Sequence, residues 1–159
     1  MGLVAGWLTA PENAQWLSFG PGVETLSPVT LKMMGRRDTH ALRLFSADGV
    51  DAPIGLVALS DVDRRFRTAM LWYALGDAGH GGRGYTSRAV SMMLTEAFST
   101  LGIEAVSAWA VRSNIRSIRV LERNHFRFIG QQRRCHRIDG VPQDRLLFDL
   151  IATEHEERT

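Results

Sequence analysis

Four glycines fall within Gly79-His80-Gly81-Gly82-Arg83-Gly84. The segment before them, FRTAMLWYALGD, has strand character, and the segment after them, SRAVSMMLTEAFSTL, has helical spacing. A glycine-rich turn from strand to helix leaves backbone N–H groups free at the positive end of a helix dipole, which is a place for an anion. Glycine also lets a diphosphate approach a chain that a Cβ would shield. Two familiar anion loops match poorly. Gly79 and Gly84 have the spacing of a nucleotide P-loop, with Thr86 in the hydroxyl position, but Tyr85 stands where that loop needs lysine. Gly82 and Gly84 form a Gly-x-Gly, but position 87 is Ser87, and the loop follows a run of strands rather than opening a dinucleotide unit.

A second polar pattern comes about thirty residues later, where Asn114, Ser117 and Leu121 fall at i, i+3 and i+7 on one helix face. Together the two segments resemble the GNAT N-acetyltransferases, and in particular the branch similar to ribosomal-protein N-terminal acetyltransferases. The branch's Arg-Gly-x-Gly-Tyr-Ala-Thr stands here as Gly81-Gly82-Arg83-Gly84-Tyr85-Thr86-Ser87. Its Asn-x-x-Ser-x-Arg-Val-Leu-Glu stands as Asn114-Ile115-Arg116-Ser117-Ile118-Arg119-Val120-Leu121-Glu122, with His125-Phe126 for the Gly-Phe-like pair. Asp139-Gly140 followed by Asp144-Arg145-Leu146-Leu147-Phe148 is similar to the family's final hairpin. The resemblance is good over residues 39 to 152 and loose over the first 38. It departs at Gly81, where the family has Arg or Gln, and at Thr86, where it has Gly or Ala.

The resemblance implies an α/β (α+β) fold: a mixed, mostly antiparallel seven-stranded sheet flanked by about four helices, with a central strand–helix–strand crossover. It implies acetyl-CoA as co-substrate, with no metal. The diphosphate would lie on Gly82, Arg83, Gly84, Tyr85, Thr86 and Ser87, and the thioester along the strand that ends at Leu75. Asn114, Ser117 and Leu121 would meet the pantetheine arm, with Ser117 donating a proton to the leaving thiolate. If that strand splays from its neighbour, its backbone N–H groups can also steady the oxyanion formed when an amine attacks the thioester. Trp72 and Tyr73 point to opposite faces of it, and core packing accounts for Trp72.

An amine acceptor arrives protonated near neutral pH, so the reaction needs a base. Asp77, His80, His136 and Asp144 are the candidates, and the residues alone do not choose among them. His80 adjoins the glycine loop and has a suitable intrinsic pKa; a solvated loop histidine is the plain alternative. Cys135 and His136 are adjacent on a strand and so face opposite ways, which argues against a Cys–His nucleophile. Arg116, Arg119 and Arg123 share a helix face, with Arg83, Arg133 and Arg134 nearby in charge. One or two would reach the cofactor's 3′-phosphate, the rest forming a solvated face.

These groups need elements to carry them. LVAGWLT (3–9) reads as a short first strand, 11–20 as a helix, and 27–38 as a helix capped by Ser27 with Pro28 at its first position. Residues 39–76 read as an antiparallel meander with a turn at Asp48-Gly49. A helix then follows the glycine loop. Residues 103–111 read as a buried central strand, Ser113 as the cap of a shorter helix, and the rest as a hairpin across Asp139-Gly140. One domain over 1–159 is expected: acceptor-side strand and helices over 1–38, meander and cofactor loop over 39–111, second cofactor helix and hairpin over 112–159.

The chain has 159 residues, 45% of them hydrophobic, enough for a core. Its 19 basic and 17 acidic residues give a net charge of +2, so charge alone does not imply nucleic-acid binding. A lone cysteine excludes an internal disulfide. No apolar run reaches the roughly 18 residues of a membrane span, and a cytoplasmic enzyme is expected. Its acceptor would be a protein N-terminus or a small amine, and many members of the family dimerise. Two other readings are an acyl-CoA-binding sensor without catalysis and a nucleic-acid-binding module using the arginine face.

Overall fold

The structure is a computed structural model, and it describes residues 1–23 and 25–157. Three helices come first: α1 (Gly2–Thr9), α2 (Pro11–Ala14) and α3 (Pro28–Met34). An antiparallel meander follows, made of β1 (Ala41–Ser46), β2 (Pro53–Asp63) and β3 (Thr68–Leu75). The second half runs α4 (Tyr85–Ser99), β4 (Ala105–Val111), α5 (Ile115–Arg123), β5 (Arg127–Ile138) and β6 (Val141–Ile151). The strands form one sheet in the order β1-β2-β3-β4-β6-β5, antiparallel throughout except for the β3–β4 pair. The parallel pair is made by the crossover through α4, as the order of elements requires.

Alternation along the strands divides the core into two layers. Val57 and Leu59 of β2, Ala69 and Leu71 of β3, Val106, Ala108 and Ala110 of β4, and Phe148 and Leu150 of β6 pack against α4 and α5. Met93, Leu94 and Ala97 of α4 meet them at helical spacing, with Leu121 of α5. On the other face Leu56 and Ala58 of β2 and Ala74 of β3 pack with Val4, Ala5 and Leu8 of α1 and Leu31 of α3. β2 is therefore covered on both faces, which explains its continuous apolar run. α1 and α3 cover β2 and β3; no residue of β4, β5 or β6 joins their cluster.

The described sheet has six strands rather than seven, because residues 3–9 form a helix. The segment is apolar almost throughout, so period alone leaves it ambiguous. Val4 and Leu8, one turn apart, settle it by burying against the sheet. Ala10 is extended (φ −59°, ψ 129°), as a residue before proline should be, and breaks the chain between α1 and α2. The helix expected over 11–20 ends after one turn. Gln15's carbonyl, which a longer helix would use, accepts a bond from His136 instead, and Phe19 packs edge-on against Trp72 at 6.2 Å.

The α1–α2 corner is tied to the end of β3. Asn13 Nδ2 donates to Trp7 O (3.0 Å) and Leu75 O (3.1 Å). Gly76 lies under the Trp7 ring, where a Cβ would fall 2.0 Å from ring atoms. Ser27 caps α3 as expected, its Oγ accepting from Thr30 N at 3.1 Å. α5 is capped by Asn114 rather than Ser113: the helix begins at Ile115, one residue later than a Ser113 cap requires.

Candidate active site

The glycine loop folds in two steps. Asp77 accepts from Gly79 N (2.9 Å) and heads a single 3₁₀ turn over Ala78–His80. Gly82 (φ 75°) and Gly84 (φ 83°) then take left-handed conformations that reverse the chain into α4. The first amide satisfied within α4 is Arg88's, which donates to Gly84 O at 3.0 Å. The amides of Gly82, Arg83, Gly84, Tyr85, Thr86 and Ser87 have no acceptor among the described residues. A Cβ added at Gly82 or Gly84 meets nothing within 4 Å, so these glycines serve backbone direction, and open space lies beyond them. Free amides at a helix head facing open space suit a diphosphate.

Beside the loop, the sheet opens. β3 and β4 pair only through Thr68–Ala105, Ala69–Val106 and Met70–Ser107, and then part. β3 stays paired to β2 along its other edge as far as Leu75. Gly76 N donates to Ile54 O at 2.7 Å. By two-residue alternation the N–H groups of Ala74 and Trp72 turn toward β2, and those of Tyr73 and Leu75 turn into the gap.

Across the gap, on the α5 side, Tyr73 Oη lies 3.1 Å from Ser117 O and 2.8 Å from Ser117 Oγ. The phenol has one proton to give; when it goes to the carbonyl, the serine hydroxyl donates to the phenol oxygen. Burial pushes the Tyr73 phenol above the ordinary tyrosine range, and the bond from Ser117 opposes this only in part, so the phenol stays protonated. Asn114 Oδ1 accepts from Ser117 N at 3.3 Å, so its side chain caps the helix that presents the serine.

Two of the residues expected at the cofactor have buried side chains. Leu121 is fully buried in the core under α4. It shares a helix stripe with Asn114 and Ser117, but by its turn that stripe has rotated inward. Ser87 is buried as well, its hydroxyl without a partner among the described residues, which leaves its N–H as the group it can offer. Asn124 Nδ2 donates to Ser87 O at 3.2 Å and holds the end of α5 against the head of α4.

The four candidate bases separate. His80 Nδ1 lies 3.0 Å from Asp77 Oδ2 without hydrogen-bond geometry, an electrostatic contact that brings two candidates together beside the loop. The His80 ring meets Tyr85 edge-on at 6.1 Å. Asp144, by contrast, lies on the α5 face of β6 with its oxygens engaged. It accepts from Gln131 Nε2 (2.6 Å) and from the backbone N of Arg134 (2.7 Å), whose φ of 54° marks a bulge in β5. His136 is buried on the opposite face. Arg145 has only donors, so its Nη2 at 2.9 Å fixes His136 Nδ1 as acceptor, and Nε2–H then donates to Gln15 O at 2.7 Å. Neither ring nitrogen of His136 is left to take a proton from substrate, and Cys135 Sγ donates to Gln132 O (3.4 Å) rather than to the histidine. Sequence reasoning missed two features: the role of Tyr73 as partner of Ser117, 44 positions away, and the Arg145–His136 pair. Neither has a local signal. Arg116, Arg119 and Arg123 are exposed, with no carboxylate partner among the described residues.

A sheet opened between two parallel strands, with free helix-head amides at the mouth of the gap, defines the architecture of the acyl-CoA-dependent N-acyltransferases. The chain belongs to the acetyltransferase (GNAT) domain family, which matches residues 3–127. A relative named probable N-acetyltransferase YjcK, from Bacillus subtilis, is 32% identical over 108 residues, 67% of this chain and 59% of its own length. This chain thus spans less than two thirds of that relative. The spermidine N-acetyltransferase of Vibrio cholerae, solved with CoA and spermine, superposes with a TM-score of 0.80 at 16% identity, covering 95% of this chain and 89% of its own. The ribosomal-protein-S5-alanine acetyltransferase of Vibrio fischeri gives 0.77 at 19%, covering 99% and 90%. At these identities the likeness of the two structures is one of fold. No helix among the described residues is long and apolar enough to cross a membrane.

Proposed function

We propose that this chain transfers an acetyl group from acetyl-CoA to a primary amine by direct attack in a ternary complex. The observation that carries the reading is the junction of the free amides of Gly82–Ser87 with the gap between β3 and β4. The amides suit the diphosphate, with Arg83 exposed beside them. The N–H groups of Tyr73 and Leu75 suit the pantetheine arm and the thioester oxygen. Bound acetyl-CoA supplies an activated acyl carbon. A β3 amide aimed at the thioester oxygen stabilises the charge that builds there, and one such donor is worth about 10²–10³ in rate.

The chain's residues then manage two protons. His80, held against Asp77, takes one from the incoming ammonium; its Nε2 has no partner among the described residues, whereas His136 and Asp144 are engaged. The free amine forms the N–C bond, and the C–S bond breaks. Ser117 gives a proton to the departing thiolate and takes back the one that the acylated nitrogen loses, while Tyr73, whose phenol stays protonated, holds the serine hydroxyl in place. Amide and thiol leave, and His80 returns its proton to solvent.

Calorimetric titration with acetyl-CoA, followed by thiol release with a panel of amines, tests the reading. Binding together with amine-dependent thiol release is expected. Binding without release from any amine would make the chain an acyl-CoA sensor, and no binding at millimolar cofactor would remove the proposal.

A further inference from the structure

The face of the sheet opposite α5 holds a cation with no counter-ion among the described residues. α1 and α3 cover β2 and β3 there and stop short of β4 and β6, although the chain at Gln15 reaches in to His136: Ser107 is exposed, and Trp109, Arg145 and Leu147 are half-buried. Trp109 lies two residues past Ser107, and Trp72 two past Met70, so the two indoles flank the gap on this face. With the α5 side spanned by Tyr73 and Ser117, this is the side open to an amine.

The Arg145 guanidinium is stacked 3.8 Å over the Trp109 ring. Its Nε (3.3 Å) and Nη2 (2.9 Å) point at His136 Nδ1, and His136 is anchored in turn to Gln15 O. The ring and the histidine fix the guanidinium plane. Nη1 and the second N–H of Nη2 have no acceptor among the described residues, which leaves a parallel pair of donors of the kind that grips an oxyanion bidentately. No described carboxylate lies within 4.0 Å of Arg145. Asp144 faces the other way, and Asp149, on the same face of β6, is four residues or about 13 Å along the strand. Burial pulls the Arg145 pKa below the ordinary arginine range, offset only by Cys135. A partly desolvated cation held rigid without an anion favours a ligand that brings one.

Resting on the acetyl-transfer reading above, we infer that the amine acceptor carries a carboxylate, which docks on the free donor edge of Arg145 while its amine reaches the gap between Trp72 and Trp109. The site is thus built for an amino acid or a similar carboxylate-bearing amine, and not for a polycation.

The test is a set of amino acids whose carboxylate stands one to five carbons from the amine, each paired with its carboxamide, assayed by thiol release from acetyl-CoA. At the matching spacing the acid should exceed its amide about 10- to 100-fold in kcat/KM, mainly through KM, the range expected for a charge-assisted pair. R145Q should lower the acid's kcat/KM by that factor and the amide's by far less, with the acetyl-CoA Kd kept within twofold. Equal use of acids and amides by the wild-type protein overturns the inference whatever the variant does. So does an R145Q variant that slows both alike, which would leave Arg145 only as a brace for His136. Failure to bind acetyl-CoA in a parallel titration removes the acetyl-transfer reading and this inference together, whereas binding and turnover with indifference to the carboxylate removes this inference alone.

Discussion

Tyr73 and Ser117 make a hydrogen-bonded pair that joins β3 to α5 across the open part of the sheet. Two substitutions separate their roles. Ser117→Ala removes the general acid of the proposed mechanism, so kcat should fall about 10²-fold, the low end for such a loss, with acetyl-CoA affinity retained. Tyr73→Phe keeps the ring and removes only the hydroxyl that orients the serine. A loss of about 2- to 10-fold in kcat is expected, the value of one neutral hydrogen bond. Single-turnover kinetics with saturating acetyl-CoA measures both. A larger effect from Tyr73→Phe than from Ser117→Ala would make the phenol the acid. Asn114 has a cap's geometry, so Asn114→Ala should act on stability, by about 1 kcal/mol, as much as on cofactor affinity.

Among the elements, the head of α4 and the corner of α1 with α2 each need glycine, for different reasons. Gly84 sits at φ 83°, and a methyl there would have nothing within 4 Å of it. Gly84→Ala should therefore cost about 1 kcal/mol in backbone strain and weaken acetyl-CoA binding, measured by calorimetry beside a thermal melt. Gly76 is limited by contact instead, since a Cβ there would enter the Trp7 ring. Gly76→Ala should push α1 off the end of β3 and destabilise the protein by about 1–3 kcal/mol, the scale of overpacking. On the proposed reading, in which residues 1–38 shape the acceptor side, it should raise the KM for the amine more than the Kd for acetyl-CoA, because Asn13 and Trp7 tie that corner to the end of β3.

For the molecule as a whole, two histidines away from the site link stability to pH. His155 donates to or accepts from Thr95 Oγ1 at 2.8 Å and packs on Phe98 with ring centroids 5.5 Å apart. Burial holds its pKa below the ordinary 6.5, and burial does the same for His40. In the unfolded chain both take a proton near 6.5, and in the folded protein only at lower pH. Between those values the unfolded state binds more protons, so folding stability is complete above about pH 6.5 and falls as pH drops toward the folded pKa. Thermal melts from pH 7.5 to 5 should show this slope, and His155→Gln should flatten part of it; an unchanged slope would assign the effect elsewhere.

The residues by themselves determined the local parts of this protein. The glycine loop, the helix that follows it, the Ser27 cap, the meander and the Asp139-Gly140 hairpin are all legible, because turn conformations and the periods 3.6 and 2 act within a few positions. Residues 3–9 were not, since a segment apolar almost throughout satisfies both periods until a sheet selects one. Only the tertiary structure decided where β3 leaves β4, that Leu121 turns inward, and that both ring nitrogens of His136 and both oxygens of Asp144 are engaged while His80, beside Asp77, keeps Nε2 without a partner among the described residues. These outcomes depend on which donors meet which acceptors far along the chain, as His136 meets Gln15 across 121 positions. Whether a lone pair is free is set by the partner that folding brings to it, and no local pattern encodes that partner.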